Sequence, residues 1–232
     1  SAAPVGISCA IVGFIVGAVG MTGLGQVIAM NIIMFAGGKL WAALILCMIA
    51  ALILGMGLPA TPCYIITATI AAPALQQMGV PALAAHFFAF YYGSMSAVVP
   101  PVALTSYTAA GLAGAKPFKV AIAALGLALS GLLLPFLFVY NPNLLFIDFE
   151  LSSYLVNLAT AGVGLFALSC GLIGMLKRDM PLWERALFVG AGIMMVNPLA
   201  SLRATSFLVF GAILAFHYLR GREPAPKEGP AV

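Results

Sequence analysis

Charge is scarce in this chain of 232 residues. Only 7% of the residues are charged, ten Lys and Arg and six Asp and Glu, whereas about 25% are charged in a typical soluble domain. Charged residues are absent from four long ranges: 1–38, 40–115, 120–147 and 151–176. Such stretches cannot cover a water-exposed surface, so we exclude a soluble enzyme and a disordered chain and expect no nucleic-acid partner. Because 63% of the residues are hydrophobic, the composition predicts an all-α polytopic membrane protein.

Motifs for metals, redox chemistry and secretion are also missing. The four cysteines lie inside apolar runs without CxxC spacing, as expected for small buried hydrophobic side chains. No ligand cluster accompanies them, so we expect no cofactor. No charged segment precedes the first apolar run, which argues against a secretory signal peptide. Since the chain opens with Ser1 almost directly into an apolar run, we expect it to be a fragment, or a processed, incomplete or naturally split chain.

The apolar runs predict the membrane segments of the first two thirds of the chain. Residues 5–36 read as scaffold helices interrupted near 21–25, and 120–140 as a full-length span. Residues 39–76 form two arms of about 15 residues around a Gly/Pro apex, and each arm is shorter than the hydrocarbon core, which predicts a re-entrant hairpin. Residues 82–115 read as a helix broken at Pro100-Pro101, because the residue before a proline leaves the helical region.

The last third predicts a membrane extension over 151–219. A span is expected over 151–176, and two short helices over 186–219 meet at Asn197-Pro198. The tail, 220–232, is polar and proline-rich, so we expect it to be disordered.

The distribution of Lys and Arg sets the expected orientation. The loops 116–119, 177–185 and 220–227 carry the basic residues, whereas 141–150 carries none. The positive-inside rule therefore places the tail in the cytoplasm and makes the hairpin dip in from the outer face. A lone Lys39 on the outer side disagrees mildly.

Two interruptions, at 55–62 and 98–101, carry the functional argument. Non-helical backbone survives at membrane depth only inside protein or along a wet cavity, and paired interrupted segments are typical of a transporter's midplane site. Each break exposes a helix N-terminus that favours an anion. We expect Thr61 to cap the helix that Pro62 opens, and Pro101 to open the other. The plain alternative is two proline kinks.

Side chains near the breaks are neutral. Most of the Ser and Thr hydroxyls should bond to carbonyls of their own helices, with Thr61 and Ser96 as exceptions because they lie nearest the breaks. His86 is expected to be a packed or interfacial histidine rather than a proton relay. Because no carboxylate lies between 40 and 115, sodium held by neutral oxygens is a better coupling ion than a proton.

An ordered series of short motifs resembles one transporter family. The chain is similar to the large membrane subunit of tripartite ATP-independent periplasmic (TRAP) transporters, particularly the fused permeases of the TAXI branch. The likeness covers about 10–147 and is strongest over 55–142. The matching motifs are Gly55-Met-Gly-Leu-Pro59, Tyr64-Ile65, Ala72-Pro73-Ala74-Leu75, Gly79-Val80-Pro81, Ala85-His86-Phe87-Phe88, Tyr91-Tyr92-Gly93, Pro100-Pro101-Val102-Ala103-Leu104, Pro135-Phe136 and Tyr140-Asn141-Pro142.

The resemblance implies a secondary transporter of the bacterial inner membrane. Such a permease has two inverted repeats, moves like an elevator, and is usually sodium-driven. A periplasmic substrate-binding protein delivers its substrate, commonly a carboxylate. Residues 1–147 would then be the second repeat and 151–219 the extra helices of the fused type. The first repeat and the small-subunit region would be partners, without which this chain should not transport.

The resemblance also assigns site residues. The hairpin tip corresponds to 57–61 and the unwound segment to 96–100. The substrate-binding candidates are Gly57, Leu58, Pro59, Ala60, Thr61, Ser96, Pro100 and Pro101. The sodium candidates are Gly57, Ala60, Thr61, Ser96, Val98 and Val99. Val99 and Ala60 depart from the family, which often has Thr at these positions, so each loses a hydroxyl that could face an ion or substrate.

Two other function classes remain as alternatives. A non-transporting scaffold or assembly subunit would explain the glycine-rich helices but not the two breaks. An intramembrane serine hydrolase would pair Ser94 with His217, but a nucleophile needs its base within hydrogen-bond reach. His217 is expected near the cytoplasmic end of the last span and Ser94 near mid-depth.

Overall fold

The computed structural model describes residues 3–176, 180–196 and 200–220, and in these ranges the chain forms helices joined by turns. It divides into two compact units, Ser1–Glu150 and Leu151–Val232. The α-helices of the first unit are α1 Ala3–Thr22, α2 Leu24–Phe35, α3 Leu40–Leu54, α4 Ala60–Gln77, α5 Ala82–Met95, α6 Leu104–Leu112, α7 Pro117–Ala128 and α8 Leu134–Tyr140. Those of the second are α9 Leu151–Ile173, α10 Leu182–Val196 and α11 Ala200–Arg220.

Helix length and composition agree with a helical membrane protein. Within the described residues α9 alone is long and apolar enough to cross a bilayer, and up to three spans result if each of two bent helix pairs counts as one. The bent pairs are Ala10–Thr22 with Leu24–Phe35, at 72°, and Leu104–Leu112 with Pro117–Ala128, at 120°. Large apolar side chains such as Phe14 and Met21 are exposed, as expected where lipid replaces water.

Helix α4 is the centre of the first unit, since it packs against α1, α2, α3 and α5. Small residues allow these close contacts: a Cβ on Gly25 of α2 would lie 2.9 Å from the Thr69 carbonyl oxygen of α4. Phe88 of α5 and Leu75 of α4 are fully buried. Apolar side chains and small residues therefore make much of the packing around α4.

The structure corrects two of the expected boundaries. The chain bends at Gly23, whose φ is +66°, within the interruption expected near 21–25. The prediction of an uninterrupted span over 120–140 is wrong, because α7 ends at Ala128 and a 3₁₀ turn, Gly131–Leu133, precedes α8. Pro135 explains the break, because it has no N–H to donate and its ring would clash with the carbonyl four residues earlier in a regular α-helix.

The second unit is a three-helix assembly in which α10 packs against both α9 and α11. Its core includes Phe188 and Met195 of α10 and Phe210 of α11. A Cβ on Gly192 would overlap the Leu168 side chain, so α9 and α10 approach closely. Asn197-Pro198, expected to join the last two helices, lies outside the described residues, as does the tail over 221–232.

The charged loop expected over 177–185 ends earlier than predicted, because α10 begins at Leu182 and includes Glu184 and Arg185. Glu184 is fully buried, and its Oε2 lies 2.9 Å from Nδ1 of His217, which is also fully buried. Arg185 donates from Nη2 to the Leu172 carbonyl, at 2.7 Å, at the C-terminal end of α9. The Glu184–His217 pair was not predicted from the sequence, because Glu184 was expected in a solvated loop.

Candidate functional site

The turn between α3 and α4 covers residues 55–59. It closes with a hydrogen bond from the Leu58 N–H to the Gly55 carbonyl, at 3.3 Å. Gly57 has φ +78°, a conformation that residues with a Cβ rarely adopt. Pro59 is already extended, so α4 begins at Ala60. The prediction that Thr61 caps this helix is therefore wrong: Thr61 lies inside the first turn and is exposed.

The interruption between α5 and α6 covers residues 96–103 and includes the cis peptide bond Pro100-Pro101. Helix α6 begins at Leu104, after Ala103 with φ +33°, so Pro101 does not open it as predicted. Two further residues, Val102 and Ala103, follow the proline pair before the backbone returns to a helix at Leu104. The unwound segment is therefore longer than the expected break over 98–101.

Side chains of α6 reach back across this interruption. The Thr105 hydroxyl and N–H donate to the Ala97 carbonyl, at 2.8 and 3.1 Å. The Ser106 hydroxyl donates to the Val98 carbonyl, at 3.1 Å, and the Tyr107 hydroxyl to the Pro101 carbonyl. These carbonyls lie outside the helices and have no intrahelical donor, so at membrane depth each needs another hydrogen-bond partner. The expectation that such hydroxyls bond within their own helices is therefore wrong for Thr105 and Ser106.

The hairpin arm α4 is bonded to the end of α5 at the edge of the interruption. The Cys63 thiol donates to the Gly93 carbonyl, at 2.8 Å. The Ser96 hydroxyl donates to the same carbonyl, and its oxygen lies 3.7 Å from the Cys63 sulfur. One turn away, the Thr67 hydroxyl lies 3.2 Å from the Ala89 carbonyl oxygen. Neutral hydrogen bonds thus join the two broken elements.

The two turns are close enough that glycine is required in the hairpin. A Cβ on Gly55 would overlap the Cys63 sulfur and the Ser96 hydroxyl, and would lie 2.9 Å from the Gly93 carbonyl oxygen. Its φ of −81° is ordinary, so the crowding alone demands glycine. At the tip, a Cβ on Gly57 would lie 3.6 Å from a methyl group of Val102. The hairpin turn and the α5–α6 interruption are therefore in contact.

The predicted site residues separate into exposed and covered groups. Gly57, Ala60, Thr61 and Pro101 are exposed. Leu58, Pro59, Val98, Val99 and Pro100 are half-buried. Ser96 is 1% exposed and its hydroxyl faces the hairpin. The structure brings Ser96 to Gly55 and Cys63, whereas Thr61 takes no part in this contact.

The ligand atoms available at this contact are backbone carbonyls, hydroxyls and one thiol. Within the residues that the structure describes, no group of three or more His, Cys, Asp or Glu could hold a metal ion. Carbonyl and hydroxyl oxygens suit hard cations. Cys63 and Gly93 were not among the predicted site residues. A signal for them was Gly55, because a small residue at the end of an apolar helix often marks a close approach.

The two histidines singled out in the sequence have partners away from this contact. The His86 ring shares a hydrogen bond with the Tyr64 hydroxyl, at 3.0 Å, and is half-buried. His217, the base imagined for a serine hydrolase, bonds through Nδ1 to Glu184 in the second unit, whereas Ser94 belongs to the first.

Comparison with known proteins gives one family. Residues 1–153 match the family model of the tripartite ATP-independent periplasmic transporter, DctM component. The matched range includes both turns described above and ends within the first turn of α9. No significant match to a curated protein or to a solved structure was found.

Proposed function

We propose, from the premise that this chain belongs to the DctM component family of tripartite ATP-independent periplasmic transporters, that it forms one half of a secondary active permease importing a carboxylate-type solute. The family is a transporter component and not an enzyme family. The observation that carries the proposal is the contact between the hairpin turn 55–59 and the interruption 96–103. A structural kink needs no second interrupted segment beside it, whereas a transport site between two broken elements does.

The N-terminus of α4 is the proposed substrate contact. The first N–H groups of a helix have no intrahelical acceptor and carry a partial positive charge, and Ala60 and Thr61 in this turn are exposed. A carboxylate of the solute would accept hydrogen bonds there. Helix α6 offers less, because the Thr105 N–H is already bonded to Ala97. The remaining substrate candidates, such as Leu58 and Pro100, would shape the cavity walls.

Sodium is the proposed coupling ion. The carbonyls of Gly57, Val98 and Val99 and the hydroxyl of Thr61 are neutral oxygen ligands, and no carboxylate lies between 40 and 115 to carry a proton. The Ser96 hydroxyl would have to rotate away from the Gly93 carbonyl before its oxygen could face an ion. Backbone carbonyls would therefore supply most of this site, with the hydroxyls lost at Ala60 and Val99 leaving fewer side-chain ligands.

The rest of the assembly is proposed from the family. Residues 1–147 would form the second repeat of a TAXI-type permease in the bacterial inner membrane, with the C-terminus in the cytoplasm. The first repeat and the small-subunit region would complete the site, and elevator-like movement would carry it across the membrane. A periplasmic substrate-binding protein would deliver the solute.

Uptake into proteoliposomes tests this proposal. The complete permease is reconstituted with its substrate-loaded binding protein, and an inward sodium gradient or a pH gradient is imposed separately. We expect uptake with the sodium gradient only. Uptake driven by the pH gradient alone would refute sodium coupling. A scaffold subunit would give no uptake with either gradient, and its binding would not distinguish loaded from empty binding protein.

A further inference from the structure

A third helix interruption, at residues 129–133, lies in the first unit beside α5. Pro135 has no N–H, so the carbonyl of Gly131, four residues earlier, lacks its α-helical donor. This carbonyl accepts instead from the Leu134 N–H, in the tighter 3₁₀ arrangement. A carbonyl oxygen has two lone pairs, so at such a break a neighbouring element can supply a further donor where water is excluded.

Two adjacent tyrosines of α5 supply those partners. The Tyr91 hydroxyl donates to the Gly131 carbonyl, at 2.9 Å, and the Tyr92 hydroxyl donates to the Leu132 carbonyl. A Cβ on Gly131 would lie 2.9 Å from the Tyr91 hydroxyl oxygen, so glycine makes room for this bond. Tyr92 is fully buried.

Aromatic rings also join α5 to α8, the helix that directly follows the 129–133 interruption. The Tyr92 ring packs edge-on against two phenylalanines that also contact each other, with centroid distances of 4.7 Å to Phe88 of α5 and 6.4 Å to Phe136 of α8. Such contacts restrict ring orientation beyond what apolar burial does. Two kinds of directional contact therefore hold α5: its tyrosine hydroxyls bond to the 129–133 interruption, and the Tyr92 ring packs edge-on against α8.

The tyrosines lie one turn before the end of α5. Gly93, which accepts hydrogen bonds from Cys63 and Ser96, follows Tyr92 directly. A shift of α5 relative to the 129–133 interruption would therefore also move the Gly93 carbonyl, which joins α5 to the hairpin.

We propose that Tyr91 and Tyr92 are positioning residues of the transport site. They hold the C-terminal end of α5 in the position that its hydrogen bonds to the hairpin require. This inference rests on the proposed function. The competing explanation is that the hydroxyls only satisfy two carbonyls and stabilise the fold. The two explanations differ in whether the effect of removing a hydroxyl reaches residues 93–99.

The first test compares Tyr91→Phe and Tyr92→Phe with Tyr140→Phe in the complete permease. Tyr140 is the control, because its hydroxyl has no hydrogen bond in the described part of the chain. We expect the half-saturating concentration of the coupling ion, sodium or proton as found in the uptake experiment, to rise about five- to ten-fold, the size of one lost hydrogen bond. Amide hydrogen exchange, which needs no transport, should quicken over both 129–134 and 93–99.

The second test restores the missing donor. In Tyr91→Phe combined with Pro135→Ala, the residue 135 N–H can bond to the Gly131 carbonyl, so the carbonyl regains an α-helical partner. We expect the unfolding temperature to recover, while exchange over 93–99 and the ion dependence stay altered. The proposal is overturned if all three recover together, or if the single variants change exchange only over 129–134. If the wild-type permease shows no uptake, the proposed function fails, whereas exchange over 93–99 still decides whether the tyrosines position α5.

Discussion

The two units of this protein contain helices built in different ways. In the first unit, the helix pairs α3–α4, α5–α6 and α7–α8 are separated by five, eight and five residues. Neutral groups such as Cys63, Thr105 and Tyr91 bond to carbonyls at these interruptions. In the second, α9 runs unbroken for 23 residues, and a fully buried Glu184–His217 pair joins α10 to α11.

This difference separates two uses of polar groups in an apolar surrounding. Neutral hydroxyls and thiols satisfy interrupted backbone without the desolvation cost of a buried charge. A buried pair of an acid and an imidazole is removed from water on both sides, and this cost is recovered only while both partners are present. The family match covers the unit with interruptions, so ligand chemistry is expected there, and the second unit should respond to mutation through stability.

The largest expected effect is on the second unit. Glu184→Ala should lower the free energy of unfolding by about 3–5 kcal/mol, because it leaves His217 buried without this partner. Replacing both residues with leucine should cost less than the single change. Denaturant titration of the purified permease measures this, with Asp148→Asn, at an exposed carboxylate, as the control. Equal losses in the single and double variants would show that the pair is not the source of the effect.

Next in size is the contact between the two turns. Gly55→Ala should destabilise the first unit by about 1–3 kcal/mol through overpacking and abolish uptake, because the new Cβ displaces Cys63 and Ser96. Gly126→Ala is the matched control, since nothing lies within 4 Å of a Cβ there. Normal uptake by the Gly55 variant would contradict a tight contact at this position.

A smaller effect is expected where α6 bonds back across the interruption. Thr105→Val removes the hydroxyl that donates to Ala97 and should cost about 0.5–1.5 kcal/mol, with uptake reduced several-fold. Thr108→Val removes a hydroxyl that bonds only within α6, to Leu104, and should change uptake little. If both variants behave alike in the uptake assay, the bond across the interruption has no special role.

The smallest effect tests the sodium proposal. Val99→Thr restores a hydroxyl beside the proline pair at a half-buried position, and stability should change by no more than about 0.5 kcal/mol. We expect the half-saturating sodium concentration to fall, since one more neutral oxygen can face the ion. A rise in that concentration would argue that Val99 does not face the ion.

The sequence predicted the helical membrane class and the family because both depend on composition and on ordered short motifs. The interruptions at 55–62 and 98–101 were found because glycine and proline act locally. The predicted start of α4 is wrong by two residues, since Pro59 rather than Thr61 provides the extended residue before the helix. The break at 129–133 was missed because Pro135 was read only as part of a motif, although a proline acts on the residue four positions earlier.

Contacts between residues far apart in the chain could not be predicted from local sequence patterns. Nothing in the spacing of Cys63, Gly93 and Ser96 indicates that they meet, because their contact depends on how α4 packs on α5. Glu184 and His217 are 33 residues apart, and their pairing depends in the same way on the packing of α10 against α11. Sequence reasoning therefore located the turns but not the side chains that join them.

One cross-linking measurement tests the contact between the two interruptions most directly. In a Ser96→Cys variant the new sulfur would start near the present hydroxyl position, 3.7 Å from the Cys63 sulfur, and a small shift would bring the two sulfurs to bonding distance. Mild oxidation in native membranes should join residues 63 and 96, as shown by peptide mapping, and should stop uptake until a reductant is added. Ser94→Cys is the control and should form no such bond. Failure of the Ser96 variant to cross-link, or full uptake while it is cross-linked, would contradict the account.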